Sequence, residues 1–241
     1  MSFYHGPTIV TNGLVLSLDA ADRNSYPGSG TTWWDMSGGG RNFTFGASTA
    51  APTFSTDSGG CIVFDGSNDT CNGPASNTFN IAANGDHTVE MVFKPTQAVP
   101  GATFKFYATG VEYDRGIFAH TPYSNNSYYY DNGGYSSGTR RVEYSNNLLI
   151  NTTLHFFFRR KSDVTPYREI LRGSSNSVTS LSNSGGNNNE NYTLNATNAW
   201  IGGGDYEFFK GNIYLFRLYN RALSDVELSQ NYNATKSRFG L

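Results

Sequence analysis

The sequence predicts an all-β chain, an antiparallel two-sheet sandwich closed by one short C-terminal helix, and three observations predict it. Short stretches of alternating apolar and polar residues recur between turn residues along most of the chain, the period of half-buried strands. The composition suits pleated surfaces and tight turns: aromatics make up 15%, charged residues only 15%, and 27 of the 241 residues are glycine. Helix start signals occur once, near the C-terminus. With no strand–helix–strand alternation, no interior linker and no repeat of fixed period, the reading is one domain of about a dozen short strands.

Taken in order, the chain begins with MSFYHGPTIVT, which lacks the basic start and apolar core of a secretory signal. Residues 1–12 are expected to form an N-terminal arm outside a sandwich of residues 13–241. Phe3, Tyr4 and Ile9 are apolar groups with no place in that sandwich, so the arm reads either as a tether lying on a neighbouring subunit or as disorder. GLVLSLDA puts Leu14, Leu16 and Leu18 on one face of a strand. A long loop follows, punctuated by Pro27, Gly28, Gly30 and Gly38 to Gly40. CIVFDG and TVEMVFKP are strands, the second with Val89, Met91 and Phe93 on one face.

Cys61 and Cys71 flank IVFDGSNDT, which reads as strand, Asp-Gly turn and strand. A turn centred on Gly66 would bring the two sulfurs opposite each other across the hairpin; two reduced thiols are the equal alternative. ATFKFYATG, RGIFAHT, SYYYDN and RRVEYS follow as short strands. LHFFFRRKS and YREILRGSS read as a hairpin near the middle of a sheet, because the first is apolar on both faces. SNSGGNNNENYT is a polar loop, and AWIGGG and FFKGNIYLFRLYN complete the strands.

The helix is expected within Leu223 to Lys236. Ser224 and Glu227 are spaced for a capping box, and Leu223 with Leu228 for a hydrophobic staple. Val226 is expected on the buried side, beside the i, i+4 pair Leu228 and Tyr232. So short a helix is marginal alone, and docking over the open end of the sandwich would stabilise it.

Net charge is −2, which offers no basic face for nucleic acid or an anionic membrane. No apolar run reaches the ~18 residues of a membrane span. Catalytic signatures are missing from the sequence. Glu90 and Glu143 each stand alone among apolar neighbours and read as solvent-facing strand residues. His5, His87, His120 and His155 are scattered, with no HExxH, GxSxG or CxxC pattern. The glycine triplets at Gly38 and Gly202 read as turns, with no Lys-Ser/Thr pair after them.

GLVLSLDAADRNSYPGSGTTWWDMSG, IVFDGSNDT, TVEMVFKP and FFKGNIYLFRLYNRALSDVELSQNYNATKSRFG together resemble a concanavalin A-like, laminin-G-type jelly-roll domain from Gly13 to Gly240. SYPGSGTTWWDMSG paired with NYNATKSRFG is similar to the version found in structural proteins of tailed bacteriophages. The broader family includes lectins, adhesion modules and one group of endo-glucanases. A glucanase on this fold would carry a Glu-x-Asp-x-x-Glu trio on one strand, which this sequence lacks, so the expectation is a protein that is not an enzyme. GGGRNFTF after Ser37 and Thr70-Cys71 depart from the family pattern.

The resemblance also implies calcium, and Asp65, Asn68 and Asp69 in DGSND supply oxygen ligands for it. The alternative is that Asp65-Gly66 turns a hairpin and Asp69 bonds its backbone. For sugar, Tyr128, Tyr129, Tyr130 and Asp131 offer aromatic faces and polar tips; the alternative is a strand with one face in the core. Trp33, Trp34 and Trp200 read as packing. The function expected is a virion structural protein, made in the host cytoplasm: capsid decoration, head fibre or tail component. Its partners would be other virion proteins or further copies of itself, a trimer for instance, with host-surface glycan as an additional ligand. The competing expectation is a lectin-type, carbohydrate-binding receptor-recognition module.

Overall fold

Antiparallel pairing sorts the strands into two sheets that share one core. The computed structural model describes residues 8–74, 79–81, 85–107, 116–132, 141–145, 149–165, 167–181, 183, 198–204 and 206–241. The first sheet holds β1 (Leu14–Asp19), β4 (Thr53–Ser55), β5 (Cys61–Asp65), β7 (His87–Pro95), β12 (Leu154–Arg160), β13 (Arg168–Ser174), β14 (Ser177–Ser180) and β18 (Lys210–Tyr219). Their order is β14, β13, β12, β7, β18, β5, β4, with β1 also paired to β18. The second sheet holds β2 (Thr32–Trp33), β3 (Phe43–Phe45), β6 (Cys71–Asn72), β8 (Phe104–Tyr107), β9 (Ile117–His120), β10 (Tyr128–Asn132), β11 (Arg141–Tyr144) and β15 (Asn198–Ile201). Its order is β11, β10, β9, β8, β15, β6, β3, β2. A small ribbon of β16 (Gly203–Gly204) and β17 (Glu207–Phe208) follows β15, and α1 (Asp225–Phe239) ends the chain. The architecture is that of a jelly-roll sandwich. Among the described residues, no helix is long and apolar enough to cross a membrane.

The core is aromatic because alternate positions of both sheets carry Phe and Tyr. Phe104 packs edge-on against Phe158 and Phe216 at 5.5 and 5.3 Å, joining the second sheet to the first. Each such ring, fully buried, stabilises the fold by about 1.5–3 kcal/mol. The expected hairpin of β12 and β13 is present, and β12 lies inside its sheet between β7 and β13.

Three expectations about the chain's course are corrected. The helix docks on the outer face of the first sheet, where Leu228 and Tyr232 join outward-facing Phe157, Leu171 and Tyr219 in a buried apolar cluster. That outer face is apolar beneath the helix and supplies the partner it needs. Val226 is 78% exposed, since a residue two positions before Leu228 points to the other side of a helix. Finally, Cys61 and Cys71 do not face each other. Cys61 lies in the first sheet and Cys71 in the second, so the Asp-Gly turn carries the chain between sheets; both thiols are free and buried.

The capping box forms as expected: Glu227 N–H donates to Ser224 Oγ, and Ser224 N–H donates to Glu227 Oε2 at 2.8 Å. The helix runs on to Phe239 and stops at Gly240, whose φ of 65° is the left-handed cap conformation. Arginines fasten both ends: Arg159 to Asp225 at 2.6 Å, and Arg238 to both carboxylate oxygens of Asp19 at 2.7 and 2.9 Å.

Close approach in the middle depends on Gly173, where an added Cβ would lie 2.4 Å from the Tyr232 ring. Gly173→Ala should therefore lower stability by about 1–3 kcal/mol, as overpacking does. Urea unfolding followed by far-ultraviolet circular dichroism checks this, and an unchanged midpoint would show that the helix yields freely.

Glu90, expected to face solvent, is wholly buried beneath the helix. Its Oε1 lies 2.9 Å from His155 Nε2 and accepts from Arg217 Nη1 at 2.8 Å, while Oε2 accepts from Asn231 Nδ2 at 2.7 Å. Asn231 Oδ1 in turn accepts from Val10 N–H at 2.8 Å, and Tyr219 Oη donates to Val10 O at 3.1 Å. Residues 8–12, expected as part of a detached arm, are thus tied to helix and sheet: Val10 is buried and Ile9 half-buried. Phe3 and Tyr4 lie outside the described residues.

Candidate functional site

The second sheet carries a different kind of outer face. Strand alternation sends Phe104, Phe106, Ile117, Ala119, Tyr128, Tyr130 and Val142 into the core. The intervening residues form a cross-strand row. Arg141 stands opposite Asp131, Asp131 opposite Phe118, Phe118 opposite Lys105, and Lys105 opposite Trp200. Charged and aromatic side chains therefore share one row across five neighbouring strands.

The charges are matched. Arg141 grips Asp131 with two parallel bonds, Nε to Oδ1 at 2.6 Å and Nη2 to Oδ2 at 2.9 Å, and its guanidinium carbon lies 4.1 Å from the centre of the Tyr129 ring. Lys105 Nζ sits 4.7 Å from the Tyr107 ring centre and 5.7 Å from that of Phe118, with Glu207 Oε1 at 3.7 Å. Glu207 Oε2 also accepts from Ala102 N–H at 2.6 Å, which fixes the carboxylate.

A second row follows. Glu143 Oε1 accepts from Tyr129 Oη at 3.2 Å and from Ser127 Oγ at 3.0 Å, and Tyr129 stands opposite His120. Burial holds the His120 imidazole below its ordinary pKa, against the opposing pull of Asp131, whose Oδ2 is 3.6 Å away. Among the described residues, the buried Trp200 Nε1 donor on this face has no hydrogen-bond partner. Arg141, Glu143, Phe118, Asn198 and Glu207 are half-buried, while Trp200, Lys105 and Asp131 are buried.

This geometry divides the Tyr128–Asp131 stretch. Tyr128 and Tyr130 cannot serve as sugar platforms, because they are fully buried against Phe156 and Phe158 at 5.4 and 5.5 Å. Tyr129 and Asp131 point the other way but lie beneath Arg141. Trp33 is core and Trp200 packed, as expected, whereas Trp34 is 47% exposed.

The carboxylates expected to hold calcium are bonded to the turn's own backbone. Asp65 Oδ1 accepts from the Ser67 and Asn68 N–H groups at 2.8 and 3.3 Å, and Asp69 Oδ2 accepts from Asp65 N–H at 2.8 Å. Among the described residues, no group of three or more His, Cys, Asp or Glu is placed to hold an ion.

Lys105, Arg141, Glu207 and Tyr206 had not been singled out from the sequence. Their signal is alternation: in TFKFY, Lys105 and Tyr107 occupy every second position between core phenylalanines. Assigning both to an outer face needed the partner strands as well.

No protein-family model matches the chain, and no curated protein matches it. Solved structures do. Trypanosoma rangeli sialidase in complex with the inhibitor DANA is similar at a TM-score of 0.63 and 16% identity, over 94% of this chain and 33% of that one. Domain 4 of AbnA, a GH43 extracellular arabinanase from Geobacillus stearothermophilus, in complex with arabinotriose, gives 0.60 and 15%, over 90% and 97% of the two chains. The binding domain of Paraclostridial Mosquitocidal Protein 1 gives 0.60 and 11%, over 93% and 52%.

The chain thus spans about a third of the sialidase chain, and at these identities the likeness establishes a shared fold. It also overturns the expectation that the protein is not an enzyme: the sialidase and the arabinanase are enzymes, and each contains this fold. A missing glucanase trio excludes one hydrolase class and no more. The virion reading rests on the sequence resemblance alone; fold and comparisons add nothing to it.

Proposed function

We propose that the chain is a glycan-binding β-sandwich domain and that it binds through the outer face of the second sheet. The half-exposed side chains of Arg141, Phe118, Glu143 and Glu207, held over the buried Asp131, Lys105 and Trp200, carry this reading. Sugars present hydroxyls that both donate and accept, and C–H faces that pack on aromatic rings. Paired charges interleaved with rings meet both needs, and charge-assisted bonds are the stronger kind. The outer face of the first sheet is covered by α1, which favours the second sheet for binding. Likeness to an arabinanase domain solved with arabinotriose supports glycan binding.

Screening the full chain against immobilised neutral and acidic glycans tests the reading. Glu143→Gln should weaken retention about tenfold through loss of a charged acceptor. Val226→Asp, on the helix at the opposite side of the sandwich, should leave it unchanged. The same incubations are read for released sugar, since turnover is an outcome of the hydrolase likeness. The site is misplaced if Val226→Asp abolishes retention while Glu143→Gln spares it. Failure to retain any glycan removes the reading.

A further inference from the structure

We propose that the ligand is a neutral glycan and that Tyr206 is the residue on which its ring stacks, an inference that rests on the glycan-binding reading above. Tyr206 is 93% exposed, in a chain whose other described tyrosines are buried or half-buried. It sits in the link of the β16–β17 ribbon, where Gly204 pairs with Glu207, and its φ is 64°. A side-chain-bearing residue in that conformation is strained, and glycine or asparagine is the usual occupant of such a turn. Here the turn instead holds out a bare aromatic ring, whose exposure is unfavourable on its own.

The residue that follows it in the ribbon is polar and suited to a sugar. Glu207 follows directly, 30% exposed, its carboxylate fixed by Ala102 N–H and facing Lys105. A sugar lying on Tyr206 would therefore have the fixed, part-exposed carboxylate of the next residue as an acceptor. The ribbon itself is firmly seated: an added Cβ at Gly204 would come within 2.6 Å of the Trp200 ring. The platform consequently keeps its position relative to the row.

Charge decides the class of glycan. Among the described residues, the face presents Lys105 and Arg141 against Asp131, Glu143 and Glu207. Lys105 is matched by Glu207 and Arg141 by Asp131, so both cations are already paired. Burial keeps His120 uncharged at neutral pH. A sialic acid carboxylate would approach a face whose cations are already satisfied, whereas neutral hydroxyls bridge acid and base alike.

Isothermal titration of the full chain with arabinotriose, cellotetraose, xylotetraose, mannotetraose and sialyllactose tests both parts. Binding is expected for at least one neutral oligosaccharide, with little change as salt rises from about 50 to about 500 mM. Tyr206→Ala should weaken it about tenfold or more with an unchanged melting temperature, and Tyr206→Trp should retain it. Tyr206→Gly should weaken binding equally while raising the melting temperature, because it relieves the positive φ. Preference for sialyllactose, lost at high salt, would overturn the neutral class and leave glycan binding standing. Neutral binding that survives Tyr206→Ala would overturn the role of Tyr206. Silence towards every sugar would overturn this proposal together with the reading beneath it.

Discussion

Glu90→Gln should lower the unfolding free energy by about 3–5 kcal/mol, the cost of removing one partner from a buried ion pair. Glu90 is fully buried and meets Arg217, His155 and Asn231 at once, so glutamine would leave Arg217 buried with its charge unmatched. For a chain of this size the melting temperature should fall by roughly 6–20 °C. Glu90→Gln paired with Arg217→Met separates the loss of the bond from the burial of an orphan charge, and the double variant should recover much of the loss. A shift below about 2 °C would mean that the helix opens to water and the carboxylate is solvated in the native protein.

The linkage follows from the same contacts. Burial pushes the Glu90 carboxyl up, but Arg217 and His155 outweigh it and hold the group below its ordinary value. Its contribution is therefore complete above the unfolded carboxyl pKa and is lost as pH falls through the depressed native one.

His87→Gln should flatten the acid side of the stability curve. Burial, with help from Arg160, drives the His87 imidazole down to about 3 from an ordinary 6.5. The native protein keeps it neutral while the unfolded chain protonates it, so stability is full above about 6.5 and declines as pH falls towards 3. Between pH 7.5 and 4.5 this one group should cost about 2–3 kcal/mol. The position explains the shift. His87 stands opposite Arg160 on β12, and Arg160 opposite Arg168 on β13, all three buried. Protonation would add a third cation to that row, with Asp86 the nearby acid and Tyr130 Oη already bonded to the ring. Urea titrations of both proteins at the two pH values provide the measurement. Equal pH dependence in wild type and variant would show that water reaches the ring.

Much of the fold was legible because its signals are local. Leu14, Leu16 and Leu18 mark a strand by spacing alone, and Ser224 with Glu227 marks a helix start by chemistry that spans one turn. The functional face was less legible, because its contacts are distant. Glu90 reads the same in TVEMVF whether it faces water or a helix, and the residues that decide, Arg217 and Asn231, lie 127 and 141 positions away. The tyrosine triplet was found, but period-two alternation divides it between core and surface. DGSNDT announces a turn without saying whether the chain returns to the same sheet. Tyr206 carried no signal at all, since an exposed aromatic beside glycines resembles any loop residue until its φ is known.

The placement of β18 has a consequence for how the chain comes together. One side of β18 pairs with β7 along most of its length, and the other with β5 and then β1, from Lys210 opposite Asp65 to Tyr219 opposite Leu14. The strand that joins three others is thus the last to be made. Until it leaves the ribosome, β1, β5 and β7 each lack a neighbour and present open, apolar edges, so the first sheet cannot close while synthesis is under way. Pairing of the second sheet, whose strands all precede residue 202, has no such wait. Closure across some two hundred residues is entropically slow, and a nascent chain in that state is prone to pair with its like. Yield in recombinant expression should consequently be governed less by the stability of the finished sandwich than by the time its first sheet spends without its central strand.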